Sequence, residues 1–191
     1  MSTKLKIAAA VAAAVLLSAC SSPKHEPMPL VKFTPSMEVT EVWSKGLSSA
    51  EGFLVPAVYD DMVFAAGGKT LTRLNARTGE TEWSVSFNSP ITGGVGSDGY
   101  VTAVGLWDGN LEVVDAEGKV SWEKKLTTEL ASPPVVSHGL VIARTMDTRV
   151  SAFEASSGEL QWTYQRSQPA LTVRLPTRML AHDNFLLVGQ P

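Results

Sequence analysis

From residue 39 onward the apolar positions come in short runs bounded by Gly, Asp, Asn, Ser and Pro, with no sustained helical period. Four of these runs, Met62–Ala66, Tyr100–Gly105, Leu140–Ala143 and Phe185–Val188, each follow a polar turn: Asp60-Asp61, Ser97-Asp98-Gly99, Ser137-His138-Gly139 and His182-Asp183-Asn184. A second kind of turn recurs further on, where Gly79, Gly118 and Gly158 each stand four residues before a tryptophan. A glycine there supplies positive φ without steric cost, so a strand ending near Ala76 can reverse and the next strand carries Trp83. The first full unit therefore predicts four strands at about 54–59, 62–66, 69–75 and 80–87.

The unit repeats. Trp43, Trp83, Trp122 and Trp162 are separated by 40, 39 and 40 residues, and four short strands in that period describe a propeller blade. The expected fold is all-β, a partial propeller of four-stranded antiparallel blades at 54–87, 93–126 and 132–166. A half blade is expected at 177–189 and an orphan strand around Trp43 at 39–46. The four periodic tryptophans and Gly79, Gly118 and Gly158 are read as structural. Trp107 lies off the period beside Asp108-Gly109-Asn110 and is a candidate exposed contact residue.

The beginning of the chain breaks this pattern. Lys4 and Lys6 precede eleven apolar residues, Ile7–Leu17, too few for the roughly 20 that a spanning helix needs, so residues 1–19 read as a secretory signal peptide. Leu17-Ser18-Ala19-Cys20 resembles the bacterial lipobox, which implies a lipidated, palmitate-bearing Cys20. At about 0.8 kcal/mol per buried CH₂, several acyl chains hold a protein firmly on a bilayer. Ser21 rather than Asp after that cysteine implies the outer membrane, periplasmic face. Residues 20–38, with Pro23, Pro27, Pro29 and Pro35, read as a tether; the eighteen residues after Cys20 reach at most roughly 60 Å. Cys20 is the only cysteine, so the body is expected to hold without disulfides. Without residues 1–19 the formal charge moves from −3 to −5, which argues against a nucleic-acid partner.

Candidate chemistry is thin. Gly94-Val95-Gly96-Ser97-Asp98-Gly99 matches the dinucleotide fingerprint, but that motif needs a helix N-terminus after its last glycine, and here the repeat predicts a strand. His138 and His182 fall in turns, His25 in the tether, and no group has metal-ligand spacing. Ser121 and Lys124 form Ser-x-x-Lys on a strand rather than at a helix start. No catalytic residue, cofactor, metal or small-molecule substrate is expected. The segment 168–176, bounded by Pro169 and Pro176, fits neither repeat pattern. Leu171, Val173 and Leu175 would project to one side of an extended stretch with Arg174 beside them, either as a docking element or as a blade's inner strand.

The Gly-x-x-x-Trp turn resembles the tryptophan-docking repeat of quinoprotein-like eight-bladed propellers, which implies that each ring lies against the adjacent blade. Taken with the lipobox, the tether, Ser132–Val141 and Leu171-Thr172-Val173-Arg174, the chain resembles the BamB family, propeller lipoproteins of the outer-membrane β-barrel assembly (BAM) machinery. That resemblance implies a noncatalytic subunit whose Leu171, Val173 and Arg174 contact BamA, the barrel-bearing core subunit. The alternatives are a quinone-dependent dehydrogenase-like propeller, which commonly carries a vicinal cysteine pair, and a general periplasmic adhesion or scaffold propeller. The family has eight blades, and this chain covers about half of them. It is therefore expected to form an open array, unless the Trp43 strand joins the half blade to close a four-unit ring.

Overall fold

The structure, a computed structural model, describes residues 36–48, 54–166 and 177–189. The chain divides into Met1–Thr40 and Glu41–Pro191. Of the first unit, only 36–40 are described, and they are exposed.

The second unit is all-β among the described residues. Blade one comprises β1 (Ala57–Tyr59), β2 (Met62–Gly67), β3 (Thr70–Asn75) and β4 (Thr81–Ser86). Blade two comprises β5 (Ile91–Ser97), β6 (Thr102–Leu106), β7 (Asn110–Val114) and β8 (Val120–Lys125). Blade three comprises β9 (Val135–Ser137), β10 (Leu140–Arg144), β11 (Val150–Glu154) and β12 (Leu160–Tyr164). The half blade is β13 (Met179–His182) and β14 (Phe185–Val188). In each sheet the strands lie in chain order, joined by antiparallel hairpins.

The first turn of each unit needs a left-handed residue. Asp60, His138 and Asp183 adopt φ of 48°, 53° and 49°, and Gly99 takes that conformation in blade two at 88°. Short polar side chains tolerate this region best. The second turn places Gly79, Gly118 and Gly158 at φ of 72°, 81° and 71°.

The core lies between blades, not within one. Phe64, Ala66 and Leu71 of blade one meet Ile91, Val104 and Leu106 of blade two. Ala103, Leu111 and Val113 on the other face of blade two meet Val136, Val141 and Ala143 of blade three. Ile142, Val150 and Ala152 then meet Met179, Leu186 and Val188 of the half blade. The second strand is thus buried on both faces, as all five residues of β6 are, while the outermost strand β8 is mostly exposed. Stability of this kind is carried by nearest-neighbour interfaces.

The residues expected to form an orphan strand have no ladder partner among the described residues, and β13–β14 remains a two-stranded sheet. The four-unit closure through the Trp43 segment is therefore not formed.

Candidate docking surface

The seams between blades one and two and between blades two and three are each fastened by one indole, and a third indole fastens the Trp43 segment to blade one. Trp43, Trp83 and Trp122 donate from Nε1 to the carbonyl oxygens of Ala76, Ala116 and Ala155, at 2.9, 2.9 and 2.8 Å. Every acceptor lies in the second turn of the following blade. The glycine of that turn lies beneath the ring: a Cβ added to Gly79, Gly118 or Gly158 would stand 2.6, 2.6 or 2.8 Å from the indole of Trp43, Trp83 or Trp122. The glycine four residues before each tryptophan therefore serves the preceding tryptophan, and two demands converge on it, positive φ and absence of a side chain. The Ala116 carbonyl also accepts from Arg73 Nη1 at 2.9 Å, and Arg73 pairs with Glu82 at 2.6 Å. Trp162, at the same repeat position, is 39 % exposed.

The glycine-rich fingerprint has a packing explanation. A Cβ at Gly94 would stand 2.7 Å from the Pro133 ring, and one at Gly96 would collide with the Pro134 carbonyl oxygen. The run is where the chain entering blade three crosses β5 of blade two, and β6 follows it, with no helix.

The blades present two ends. One carries the β1–β2 and β3–β4 types of turn. The other carries the β2–β3, β6–β7 and β10–β11 turns together with the links from blade to blade, joined by Phe87 N to Lys69 O (2.9 Å), Leu126 N to Gly109 O (3.0 Å) and Met146 N to Glu129 O (3.1 Å). Trp107 lies in the β6–β7 turn and is 63 % exposed. Beside it a cleft of about 400 Å³ is lined by Leu126, Thr128, Glu129, Met146 and Asp147 among others. Arg166 and Thr177, which flank the segment 167–176, belong to the link that leaves β12 at this same end. Leu171, Val173 and Arg174 themselves, like Cys20 and His25, lie outside the described residues.

The remaining candidates are dispersed. His138 is exposed and shares a 2.8 Å hydrogen bond with Ser137 Oγ; His182 lies 3.6 Å from Asp183 at the surface. Ser121 and Lys124 are both exposed on β8, and three residues apart on a strand they face opposite ways. Among the described residues no group of three or more His, Cys, Asp or Glu could hold a metal ion.

One buried carboxylate was not anticipated. Glu112 on β7 is 7 % exposed and stands directly across from Glu123 on β8. Burial first, and then the neighbouring Glu123 and Asp108 charges, raise its pKa to about 7. The same register position is a hydroxyl pair in the other blades, Thr72–Ser84 at 3.1 Å and Ser151–Thr163 at 3.2 Å. The signal in the sequence was a Glu where the aligned repeats carry Thr and Ser.

A family model described as outer membrane protein assembly factor BamB matches residues 39–90 and 67–191. The BamB of Burkholderia pseudomallei is 37 % identical over 189 residues, covering 96 % of this chain and 50 % of the relative. That of Bordetella pertussis is 32 % identical, covering 92 % and 47 %. The chain thus spans about half the length of these curated relatives. Among solved structures, BamB from Moraxella catarrhalis superposes with a TM-score of 0.60 at 27 % identity, over 68 % of this chain and 40 % of that one. A europium-containing methanol dehydrogenase gives 0.56 at 15 % identity, over 66 % and 27 %, a likeness of fold alone.

Proposed function

The chain belongs to the BamB family of outer membrane protein assembly factors, and from that membership we propose that it acts as a noncatalytic, lipid-anchored subunit of the BAM complex. It is held at the periplasmic face of the outer membrane through Cys20. It docks on BamA through Leu171, Val173 and Arg174 and assists assembly and insertion of β-barrel proteins. The observation that carries this reading is where the flanks of the docking segment lie: Arg166 and Thr177 belong to the blade end that also exposes Trp107. A scaffold of stacked blades fixes where a link leaves and returns, and function concentrates on loops positioned by such a scaffold. Arg is enriched among the residues that carry binding energy at protein interfaces, and neighbouring apolar side chains add buried area around it.

The test is co-purification with BamA from membranes. Arg174→Ala, and separately the pair Leu171→Ser and Val173→Ser, are expected to weaken capture while leaving thermal unfolding nearly unchanged. A large fall in unfolding temperature with the double Ser change would place those residues in a core, and the docking reading would fail.

A further inference from the structure

Blade three departs from its neighbours at two positions of one hairpin, and both departures reach the ends of the docking segment. The β6–β7 and β10–β11 turns superimpose in register: Gly109 N donates to Leu106 O at 2.9 Å, as Thr148 N does to Thr145 O at 2.9 Å. Asp108 and Asp147 each accept from the backbone N–H two residues on. In that alignment Thr148 stands where blade two has Gly109, and Arg144 stands where blade two has Gly105 and blade one has Ala66. The repeat favours small residues at both places. Gly109 has φ of 82°, and a Cβ at Gly105 would meet Leu130 at 2.5 Å.

Both substitutions are costly in themselves. Thr148 is a β-branched residue held at φ 68°, a conformation that costs about 1–3 kcal/mol and persists only where its surroundings impose it. Arg144 is a guanidinium only 5 % exposed, with no carboxylate within ion-pair distance among the described residues. Each makes a specific bond in return. Thr148 Oγ1 donates to the Arg166 carbonyl at 3.1 Å. Arg144 Nη1 donates to Thr177 Oγ1 at 2.7 Å and to the Gly189 carbonyl at 2.8 Å, and Thr177 Oγ1 donates to Gly189 O at 3.1 Å. Residues 166 and 177 are the two flanks of the segment 167–176.

We propose that Arg144 and Thr148 are positioning residues: one hairpin of blade three holds both ends of the segment 167–176, fixing its span in advance of docking. The inference rests on the docking role proposed above. Holding both ends lowers the ordering entropy that a partner would otherwise have to supply, the usual gain from preorganisation. Arg144 also ties Gly189, beyond β14, to the same point, so the half blade and the segment's exit are held together.

The experiment uses the full chain extracted from membranes in detergent, with two readouts: amide hydrogen exchange across 163–180, and binding to the purified periplasmic region of BamA. Thr148→Gly keeps the left-handed backbone conformation and relieves its strain, while removing the hydroxyl with the rest of the small side chain. Arg144→Met removes the donors at similar length, and Arg144→Lys retains one. Thr148→Gly and Arg144→Met are expected to speed exchange at the flanks tenfold or more and to weaken binding severalfold, with β5–β8 exchanging as in the parent. Arg144→Lys is expected to restore part of both. Parent-like exchange in β5–β8 is the check that Thr148→Gly has not lowered stability overall. Unchanged flank exchange in Thr148→Gly and Arg144→Met overturns the clamp. If flank exchange rises while binding holds, the clamp exists but does not serve docking, and the proposal is overturned in that form. Arg174→Ala separates the two ideas: it is expected to weaken binding without altering flank exchange, and its failure to weaken binding sinks the docking reading whatever the exchange shows.

Discussion

Trp122 and Trp162 occupy the same repeat position, follow the same glycine turn and have different surroundings. Trp122 donates to the Ala155 carbonyl and covers Gly158 of the following blade. Trp162 is 39 % exposed, and on its strand Leu160 and Tyr164 are 58 % and 54 % exposed. The half blade beyond it turns Phe185 and Leu187 outward at 72 % and 59 %. In blade one the matching residues Met62 and Phe64 pack on blade two. The repeat therefore specifies one half of each seam, and the neighbour specifies the other. A blade residue becomes core only when the following blade is in place.

The most direct way to break that comparison is to truncate each indole in turn. Trp122→Ala is expected to cost about 3–5 kcal/mol, the range for deleting a large packed aromatic side chain, with the Ala155 carbonyl losing its donor as well. Trp162→Ala is expected to cost less than about 1 kcal/mol, since exposed positions whose side chain bonds nothing among the described residues rarely cost more. Urea unfolding of the two variants measures the difference. Equal losses would mean that burial at this repeat position is set within the blade.

A finer comparison separates the two demands on the turn glycines. Gly118 and Gly139 have nearly the same φ, 81° and 73°, but a Cβ on Gly118 would meet the Trp83 ring, and one on Gly139 meets nothing within 4 Å. Gly139→Ala is expected to cost about 1 kcal/mol, from the left-handed backbone alone. Gly118→Ala is expected to cost roughly 2–3 kcal/mol, because displacing Trp83 also sacrifices its bond to Ala116 O, worth about 1 kcal/mol. Thermal unfolding paired with tryptophan fluorescence reads both, and only Gly118→Ala should shift the emission.

The legible and illegible parts of this molecule divide along the same line. The blade strands, both sets of turns and the Gly-x-x-x-Trp period were readable because each rests on local chemistry, namely apolar runs, left-handed turn residues and a fixed spacing. The seams were not. Nothing local assigns Gly118 to Trp83 instead of Trp122, or makes the glycines around Gly94 a crossing place for Pro133 and Pro134. Arg144, Thr148 and Glu112 were readable in principle as departures from the repeat alignment. Their roles depend on Thr177, Arg166 and Glu123, partners found only by folding. The local pattern leaves Leu171, Val173 and Arg174 open between a docking element and a blade's inner strand, and the choice between the two rests on the family resemblance.

The smallest effect concerns blade two against its neighbours. At one register position blades one and three carry hydroxyl pairs, and blade two carries Glu112 opposite Glu123. With its pKa raised to about 7 from 4.5, Glu112 in the folded chain keeps a proton that the unfolded chain has already released at intermediate pH. Unfolding then releases a proton, so the contribution of Glu112 to stability is greatest below about pH 4.5, falls as pH rises toward 7 and levels off above it. The loss is on the order of 1–2 kcal/mol, less than the full linkage value because Glu123 is exposed and water screens its charge. Glu112→Gln removes the titration, and its unfolding free energy minus that of the parent should rise between pH 5 and pH 8. The control is Ser151→Thr in blade three, which alters a hydroxyl pair at the same register and should give a difference independent of pH. If the Gln variant and the parent keep a constant difference across that range, the buried Glu112 does not titrate with folding, and blade two differs from its neighbours in composition only.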